Sequence, residues 1–279
     1  MKKLAATFEL MRLNKPIGIY LLMWPALIAL VISTKGDFTL RNLLIVIIGS
    51  IVVRSAGCVI NDLFDSDLDG SVQRTKKRPI PSKKLTLQEG WLVFIILGLI
   101  SLILLALTNS KTMVIGIFFA LMIVLYPLTK RFFIGPQLFL GLTFNPVIIV
   151  FAMTNQINNP TMLFLYFAIT SMTVAYDSFY GLCDLVDDKK LGIKSTPLWW
   201  GGNTLKIIAA FQIITIGLLC ALGWIDELNY FWFLGLSVLV GFFIYQHNLA
   251  LKEKYFEAFK NNHWASLFML IISVLCYMI

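Results

Sequence analysis

Residues 61–70, NDLFDSDLDG, place four aspartates close together in a 279-residue chain that is 58% hydrophobic. Asn61, Asp65 and Asp69 recur every four residues, so a helix running through them would present their side chains on one face. Asp62 would lie at the edge of that face. Carboxylates stacked in this way repel one another. The spacing therefore indicates a cation site.

Two simpler interpretations of this motif are a calcium-binding loop and a solvated loop that ends a helix. The start of an EF-hand, D-x-D-x-D-G, is matched by Asp65, Asp67, Asp69 and Gly70. The twelfth position of such a loop is a bidentate Glu, and here it is Lys76, which argues against calcium. In a merely solvated loop, Asp67 would be equivalent to the neighbouring aspartates. The regular spacing of Asn61, Asp65 and Asp69 on one helical face, from which Asp67 would point away, argues against such a loop.

A second acidic motif follows at 176–196, YDSFYGLCDLVDDKKLGIKST. Asp184 and Asp188 are again four residues apart, and Asp177 and Tyr180 precede them on nearly the same helical face. Two acidic faces at one depth can hold Mg²⁺, which takes few carboxylates and prefers to keep water and phosphate oxygens as ligands. The pair of motifs therefore predicts a magnesium site that also binds phosphate.

Cations follow both acidic motifs, namely Arg74, Arg78, Lys189, Lys190 and Lys194. Lys and Arg side chains form charge-assisted hydrogen bonds with phosphate oxygens. A metal and cations at the end of apolar helices would hold a diphosphate at the mouth of an apolar cavity. Such a cavity suits an isoprenoid chain.

Arg54 lies within an apolar segment, seven residues before Asn61 and so on the same helical face. An unpaired Arg in hydrocarbon costs at least about 2.5 kcal/mol. Arg54 therefore needs either a polar cavity or a structural ion pair with an aspartate, and the sequence leaves both open.

The elements that position these residues are membrane-spanning helices. The mean hydropathy is +0.82 and only 14% of the residues are charged, so the bilayer is part of the solvent of this protein. Apolar runs long enough to cross about 30 Å of hydrocarbon predict nine spans, near 17–34, 42–60, 88–107, 112–128, 135–154, 161–182, 204–222, 229–246 and 264–279. Spans of this length are helical. We expect an all-α bundle forming one domain over 1–279.

The distribution of Lys and Arg orients the bundle, because cytoplasmic loops retain positive charge. With the N-terminus in the cytoplasm, 19 cations lie inside and three, Lys35, Arg41 and Lys111, lie outside. The C-terminus then lies on the opposite side. The net charge of +8 is explained by this orientation and does not indicate a nucleic-acid partner.

Spans 3, 5, 7, 8 and 9 carry no acidic residue at mid-membrane depth. An ion channel or transporter, the competing class, would favour acids at several depths along a pore. The distribution favours an enzyme, although the channel or transporter stays an alternative.

Almost the whole chain resembles the UbiA superfamily of intramembrane prenyltransferases, and within it the members that act on 4-hydroxybenzoate. The resemblance is carried by MRLNKPIGIYLLMWP at 11–25, RSAGCVINDLFDSDLDG at 54–70, RTKKRPIPS at 74–82, YPLTKRF at 126–132 and the motif at 176–196. It implies a multi-pass protein of the bacterial inner membrane, with a central cavity that opens near the cytoplasmic face. The implied reaction transfers a polyprenyl group from polyprenyl diphosphate to the ring carbon ortho to the hydroxyl of 4-hydroxybenzoate, in ubiquinone biosynthesis. Homogentisate or a naphthoate is the alternative acceptor.

The resemblance also implies roles for individual residues. Two Mg²⁺ ions on the diphosphate would be held by Asn61, Asp65, Asp184 and Asp188, assisted by Asp62 and Asp69. The diphosphate oxygens would contact Arg74, Arg78 and Lys194.

The other implied roles concern the allylic cation and the aromatic acceptor. Tyr126 matches a tyrosine whose ring face stabilises the allylic cation, although an interfacial tyrosine would also be expected at its position. The acceptor carboxylate needs a cation of its own, for which Arg12, Arg54 and Arg131 are the candidates.

Overall fold

The computed structural model describes residues 2–70 and 75–278, and for Leu68, Asp69, Lys130 and Met278 it describes the backbone only. All regular structure in these ranges is helical, which confirms the predicted fold class for them. The helices are α1 (Lys2–Leu10), α2 (Ile17–Thr34), α3 (Leu40–Phe64), α4 (Ser66–Asp69), α5 (Leu87–Ala106), α6 (Ser110–Phe132), α7 (Pro136–Thr143), α8 (Val147–Met153), α9 (Pro160–Leu191), α10 (Thr196–Trp200), α11 (Thr204–Ile225), α12 (Tyr230–Leu251) and α13 (Tyr255–Met278).

Eight segments are long and apolar enough to cross a membrane, and they coincide with the first eight predicted spans. The segment Pro136–Met153 combines α7 and α8, and Thr196–Ile225 combines α10 and α11. Helix α13 has 24 residues, but Glu257, Lys260 and His263 make its first half polar. The chain is therefore a multi-pass membrane protein, and the count of nine spans stays a prediction.

Helix α9 is the longest element, with 32 residues. The predicted membrane span ends near residue 182, and the helix continues beyond it to Leu191, about 13 Å further at 1.5 Å per residue. The helix ends where Gly192 adopts a left-handed φ of 68° and its N–H bonds to the carbonyl of Asp188. This extension keeps the whole second acidic motif up to Asp188 on one helix.

The span predicted over 135–154 is broken in the middle, between α7 and α8. Pro146 has no N–H and disfavours the helical conformation at Asn145, which precedes it. The side chain of Asn145 is 1% exposed. Its Nδ2 donates to the carbonyl of Tyr166 at 2.8 Å, and its Oδ1 accepts from the N–H of Val147 at 3.2 Å.

Hydroxyl groups of α9 bond the carbonyls that this break leaves without helical partners. The Tyr166 hydroxyl donates to the Leu142 carbonyl at 2.9 Å, and the Thr170 hydroxyl donates to the Gly141 carbonyl at 3.1 Å. Because a backbone polar group without a partner is costly in hydrocarbon, these bonds make the break stable at membrane depth. They also fix α7 and α8 against α9.

The helices of the bundle pack in two groups, one around α9 and the other around α3. In one half α9 packs against α7, α8, α11 and α13, and in the other α3 packs against α5 and α6. Helix α2 contacts both α3 and α9. Helices α3 and α9 are thus connected through α2, and also through α6 together with the broken span of α7 and α8.

Candidate functional site

The first acidic motif lies where α3 ends. The expectation that one helix runs through Asp69 is wrong, because α3 ends at Phe64 and Asp65 forms a turn before the short helix α4. Asn61 and Asp65 still lie together, since Nδ2 of Asn61 donates to Oδ2 of Asp65 at 3.1 Å. Asp67, in contrast to these two residues, is exposed.

Two of the predicted site residues cannot be placed. The side chain of Asp69 and the whole of Arg74 lie outside the described residues. Their roles in the metal and diphosphate sites stay predictions.

Asp62 is buried at the end of α3, with only 1% exposure, and two arginines contact it. Nη2 of Arg12 donates to both carboxylate oxygens, at 2.9 and 2.8 Å. Nη1 of Arg78 donates to Oδ1 at 3.0 Å. Two cations on one buried carboxylate stabilise its charge and bring the segment before α2 and the loop after α4 to the same point.

The second acidic motif occupies the C-terminal part of α9. Asp177, Tyr180, Asp184 and Asp188 are all partly buried. Their spacings of three and four residues place them along one side of the helix.

Tyr126 of α6 lies between the two acidic motifs. It lies within electrostatic reach of Asp65, which directly follows α3, of Asp177 in α9, and of Arg54. Its ring meets the ring of Phe144 edge-on, with centroids 6.0 Å apart. Tyr126 is thus close to α3, α9 and the break in the span, as a residue facing a shared interior site would be.

Two cations lie at the C-terminal end of α6, near the C-terminal end of α3. Nη2 of Arg131 donates to the Phe64 carbonyl at 2.9 Å, which joins the end of α6 to the end of α3. Nζ of Lys194 donates to the Phe132 carbonyl at 2.9 Å. Arg131 and Lys194 are therefore close to the level of Asp65, which directly follows Phe64.

Buried polar contacts hold the segment that carries Lys194. The N–H of Thr196 donates to Oε1 of Gln137 at 2.9 Å, and the hydroxyls of Ser178 and Thr196 are 2.8 Å apart. Ser178 follows Asp177 directly. The network thus links the start of α7, the acidic part of α9 and the loop with Lys194, a linkage that no sequence motif predicted.

Arg54 is enclosed by several elements and does not face lipid. An added Cβ at Gly18 of α2 would lie 2.6 Å from its Nε, and its Cζ is 5.3 Å from the ring centroid of Phe144. Asp177 and Tyr176 of α9 lie within electrostatic reach. Arg54 of α3 is therefore enclosed where α2, the broken span and α9 come together.

Gly18 and Phe144 were not identified from the sequence. Gly18 gives the guanidinium room where α2 crosses α3, and Phe144 faces it from the broken span. Pro146 was a signal that the span would break, but nothing in the sequence indicated which helix Phe144 would face.

The three arginines considered for an acceptor carboxylate fall into two groups. Arg54 lies eight residues before Asp62, about 12 Å deeper along the axis of α3. Arg12 lies at Asp62 and Arg131 lies at the end of α3. Of these three, Arg54 is the one placed deep in the interior.

The side chains available to a metal are oxygen donors, the amide of Asn61 and the carboxylates of Asp65, Asp184 and Asp188. Within residues 2–70 and 75–278, no group of three or more His, Cys, Asp or Glu side chains is arranged to hold a metal alone. Hard oxygen donors that do not form a closed cage fit Mg²⁺, which takes one or two carboxylates together with water and phosphate oxygens.

Sequence relatives match over nearly the full length. A 4-hydroxybenzoate octaprenyltransferase of Psychromonas ingrahamii is 41% identical over 94% of this chain and 93% of its own. The enzyme of the same name from Pseudomonas aeruginosa is 38% identical over 96% of this chain and 92% of its own.

Solved structures share the fold. The apo structure of a UbiA homolog from Aeropyrum pernix K1 superposes with a TM-score of 0.82 at 21% identity, covering 94% of this chain and 98% of that one. A UbiA homolog from Archaeoglobus fulgidus bound to GPP and Mg²⁺ superposes with a TM-score of 0.72 at 16% identity, covering 98% and 100%. The model of the UbiA prenyltransferase family matches residues 22–272, and the chain belongs to this family.

Proposed function

We propose that this protein is a 4-hydroxybenzoate polyprenyltransferase that acts in ubiquinone biosynthesis in the bacterial inner membrane. The observation that carries the proposal is the position of Arg54, an interior cation about 10 Å deeper along α3 than Asn61. Tyr126 lies within electrostatic reach of both Arg54 and Asp65. One substrate would bind at the acidic rim, which we define as Asn61, Asp65, Asp184 and Asp188. The other substrate would bind at Arg54. The names of the relatives and the GPP and Mg²⁺ of the Archaeoglobus fulgidus homolog support this assignment, and family membership favours an enzyme over a channel or transporter.

The acidic rim is the proposed site of the diphosphate. Asn61, Asp65, Asp184 and Asp188 would hold Mg²⁺, which when bound offsets the charge of the leaving diphosphate. Arg78 and Lys194 would donate to the diphosphate oxygens. Arg131 lies at the same rim and would add to the positive field there.

Arg54 is the proposed partner of the acceptor carboxylate. With the carboxylate there, the acceptor ring would lie beside Phe144 and Tyr126, and its hydroxyl end would point towards the rim. The allylic C–O bond breaks as the diphosphate leaves, and the electron-rich carbon ortho to the hydroxyl forms the new C–C bond. The ring then loses one proton and regains its aromaticity.

Tyr126 would stabilise the allylic cation through its ring face. The cation must also be shielded from water, which would hydrolyse it. The lipid-embedded bundle would provide this shielding, and an apolar interior would accommodate the prenyl chain.

The proposed function is tested with membranes containing the protein, a labelled prenyl diphosphate and a panel of aromatic acids. We expect prenylated 4-hydroxybenzoate as the main product, with homogentisate and 1,4-dihydroxy-2-naphthoate much poorer acceptors. Efficient prenylation of either of those two, with 4-hydroxybenzoate unchanged, would replace the proposed acceptor.

Arg54→Ala is expected to raise the KM for the aromatic acceptor by about tenfold to 100-fold and to leave the KM for the prenyl diphosphate nearly unchanged. A hydrogen bond to a charged group contributes about 1.5–3 kcal/mol, and each 1.4 kcal/mol is about tenfold in affinity. The methyl ester of 4-hydroxybenzoate should bind poorly to the unaltered enzyme for the same reason. Steady-state kinetics with each substrate varied in turn measures both constants.

Arg131→Ala is the matched control, because Arg131 bonds to the carbonyl at the end of α3. We expect it to raise the KM for the prenyl diphosphate more than that for the acceptor. Equal shifts of both constants in both variants would mean that the arginines maintain the fold, and the division into two pockets would be wrong.

Gly18→Ala is expected to impair acceptor binding at little cost in stability. The new methyl group would lie 2.6 Å from Nε of Arg54, and a flexible side chain can move away more readily than a backbone can. The guanidinium then leaves its position and the KM for the acceptor rises about tenfold, as for partial loss of one charged hydrogen bond. Gly98→Ala in α5, where nothing lies within 4 Å of the added atom, should change neither KM, and an equal effect in both variants would contradict the role of Gly18.

A further inference from the structure

We propose that Asp62 is a positioning residue that holds Arg12 and Arg78 together as a paired cation for the diphosphate, so that the segment before the first span forms part of the prenyl diphosphate site. This inference rests on the proposed function. It moves Arg12 from the acceptor pocket to the diphosphate site, and it gives Asp62 a role other than metal binding.

Arg12, Arg78 and Asp62 form a unit, and together they carry two positive charges and one negative charge. Asp62 accepts from Arg12 at 2.8 and 2.9 Å and from Arg78 at 3.0 Å, so two guanidinium groups share one carboxylate. The side chains of Arg12 and Arg78 are 22% and 17% exposed, whereas that of Asp62 is 1% exposed. A guanidinium has five N–H donors, so the bonds to Asp62 do not by themselves use all the donors of either arginine.

Arg12 is brought to this position by helix α1 and a turn at its end. Arg12 has a left-handed φ of 59°, a conformation that is costly for a residue other than glycine and persists where the surroundings enforce it. Nη1 of Arg12 also donates to the carbonyl of Glu9 at 3.1 Å. Leu10 is fully buried in a cluster that includes Leu63 of α3 and Leu85, and this packing holds the end of α1 in place.

Two further ion pairs fasten α1 to the same region. Lys3 contacts Glu89 of α5 at 2.5 Å, and Glu9 contacts Lys84 at 2.9 Å. These pairs are more exposed than that of Asp62, and exposed ion pairs contribute little to stability. They provide a comparison in which α1 loses one contact while the buried unit stays intact.

The level of the unit along α3 identifies its ligand. Asp62 directly follows Asn61 and precedes Asp65 by three residues, so the carboxylate that holds the two arginines lies within about one helical turn of the proposed metal ligands. A diphosphate held there carries several negative charges, and paired guanidinium groups match phosphate oxygens in geometry and charge. The acceptor has a single carboxylate, and Arg54 is better placed for it.

The test uses Asp62→Asn, which keeps the shape of the side chain and removes its charge, and Arg12→Gln, which removes one cation. Both variants should raise the KM for the prenyl diphosphate about tenfold or more, with the KM for the aromatic acceptor within about twofold of the unaltered enzyme. Direct titration of the purified protein with inorganic diphosphate and Mg²⁺ should show a matching loss of affinity. The double variant should be no worse than the more impaired single variant, because residues that act as one unit are not additive.

Lys84→Gln is the matched control, because it removes the contact with Glu9 of α1 and leaves Asp62 and its two arginines in place. Both KM values and the diphosphate affinity should stay unchanged in this variant. Arg12→Lys should recover part of the diphosphate affinity, because it keeps the charge and loses the two-oxygen contact. Unchanged diphosphate affinity in folded Asp62→Asn and Arg12→Gln, or equal rises in both KM values, would overturn the inference.

Failure of the inference can be told apart from failure of the proposed function. A protein that binds inorganic diphosphate through Asp62 and Arg12 but prenylates no aromatic acid would refute the function and retain the inference. A protein that prenylates 4-hydroxybenzoate with the Asp62→Asn variant unimpaired would do the reverse. If Asp62→Asn fails to fold, Arg12→Gln alone decides, because Arg12 is partly exposed.

Discussion

Asp65→Asn and Asp184→Asn are each expected to lower turnover by about 100-fold or more. Each substitution keeps the size of the side chain and removes one of the charges that would hold Mg²⁺ on the diphosphate. Stabilisation of a leaving group by a metal ion is worth several kcal/mol, and each 1.36 kcal/mol is about tenfold in rate. Turnover at saturating concentrations of both substrates measures the effect.

Asp67→Asn is the control for these substitutions, since Asp67 belongs to the same motif but is exposed and lies beyond the end of α3. It should retain most of the activity. If Asp67→Asn were as impaired as Asp65→Asn, the distinction between metal ligands and solvated carboxylates would be wrong. Loss of activity in all three variants with a fall in thermal stability would instead indicate unfolding.

Removal of divalent metal is expected to abolish turnover altogether. The carboxylates of Asp65, Asp184 and Asp188 and the diphosphate are all anionic, and they cannot approach one another without a counter-charge. Treatment with EDTA should stop prenyl transfer, and an excess of Mg²⁺ should restore it.

Metal content must be measured in the same samples. EDTA that is saturated with Mg²⁺ beforehand should have no effect, which separates loss of metal from damage by the chelator. Full activity in protein shown to be free of divalent metal would contradict the proposed metal site, and it would not bear on the acceptor site proposed at Arg54.

Local patterns in the sequence are enough to predict the class of fold and the kind of chemistry. Long apolar runs must form helices in a bilayer, because a helix satisfies its backbone polar groups within the segment. Spacings of four residues on α9 placed Asp184 and Asp188 on one side of a helix. These features depend on periodicity and solvent, both of which are local properties of the chain.

The same reasoning failed where a local alternative interrupted the helix. Asn61 and Asp65 are joined by a hydrogen bond as the spacing implies, but α3 ends at Phe64 and the pattern does not continue to Asp69. Periodicity predicts a helix and cannot say where it ends. The break at Asn145 is stable only because Tyr166 and Thr170, more than 20 residues away, bond to the freed carbonyls.

The partners of the arginines follow from the way the helices pack. Arg12, Arg54 and Arg131 were equivalent candidates in the sequence, since each is a cation near an apolar segment. Folding pairs Arg12 with Asp62, 50 residues later, places Arg131 at the end of α3, and sets Arg54 against Gly18 and Phe144. Which charges meet depends on how the helices cross, and a crossing is fixed by packing between segments that are distant in the chain, so no local pattern records it.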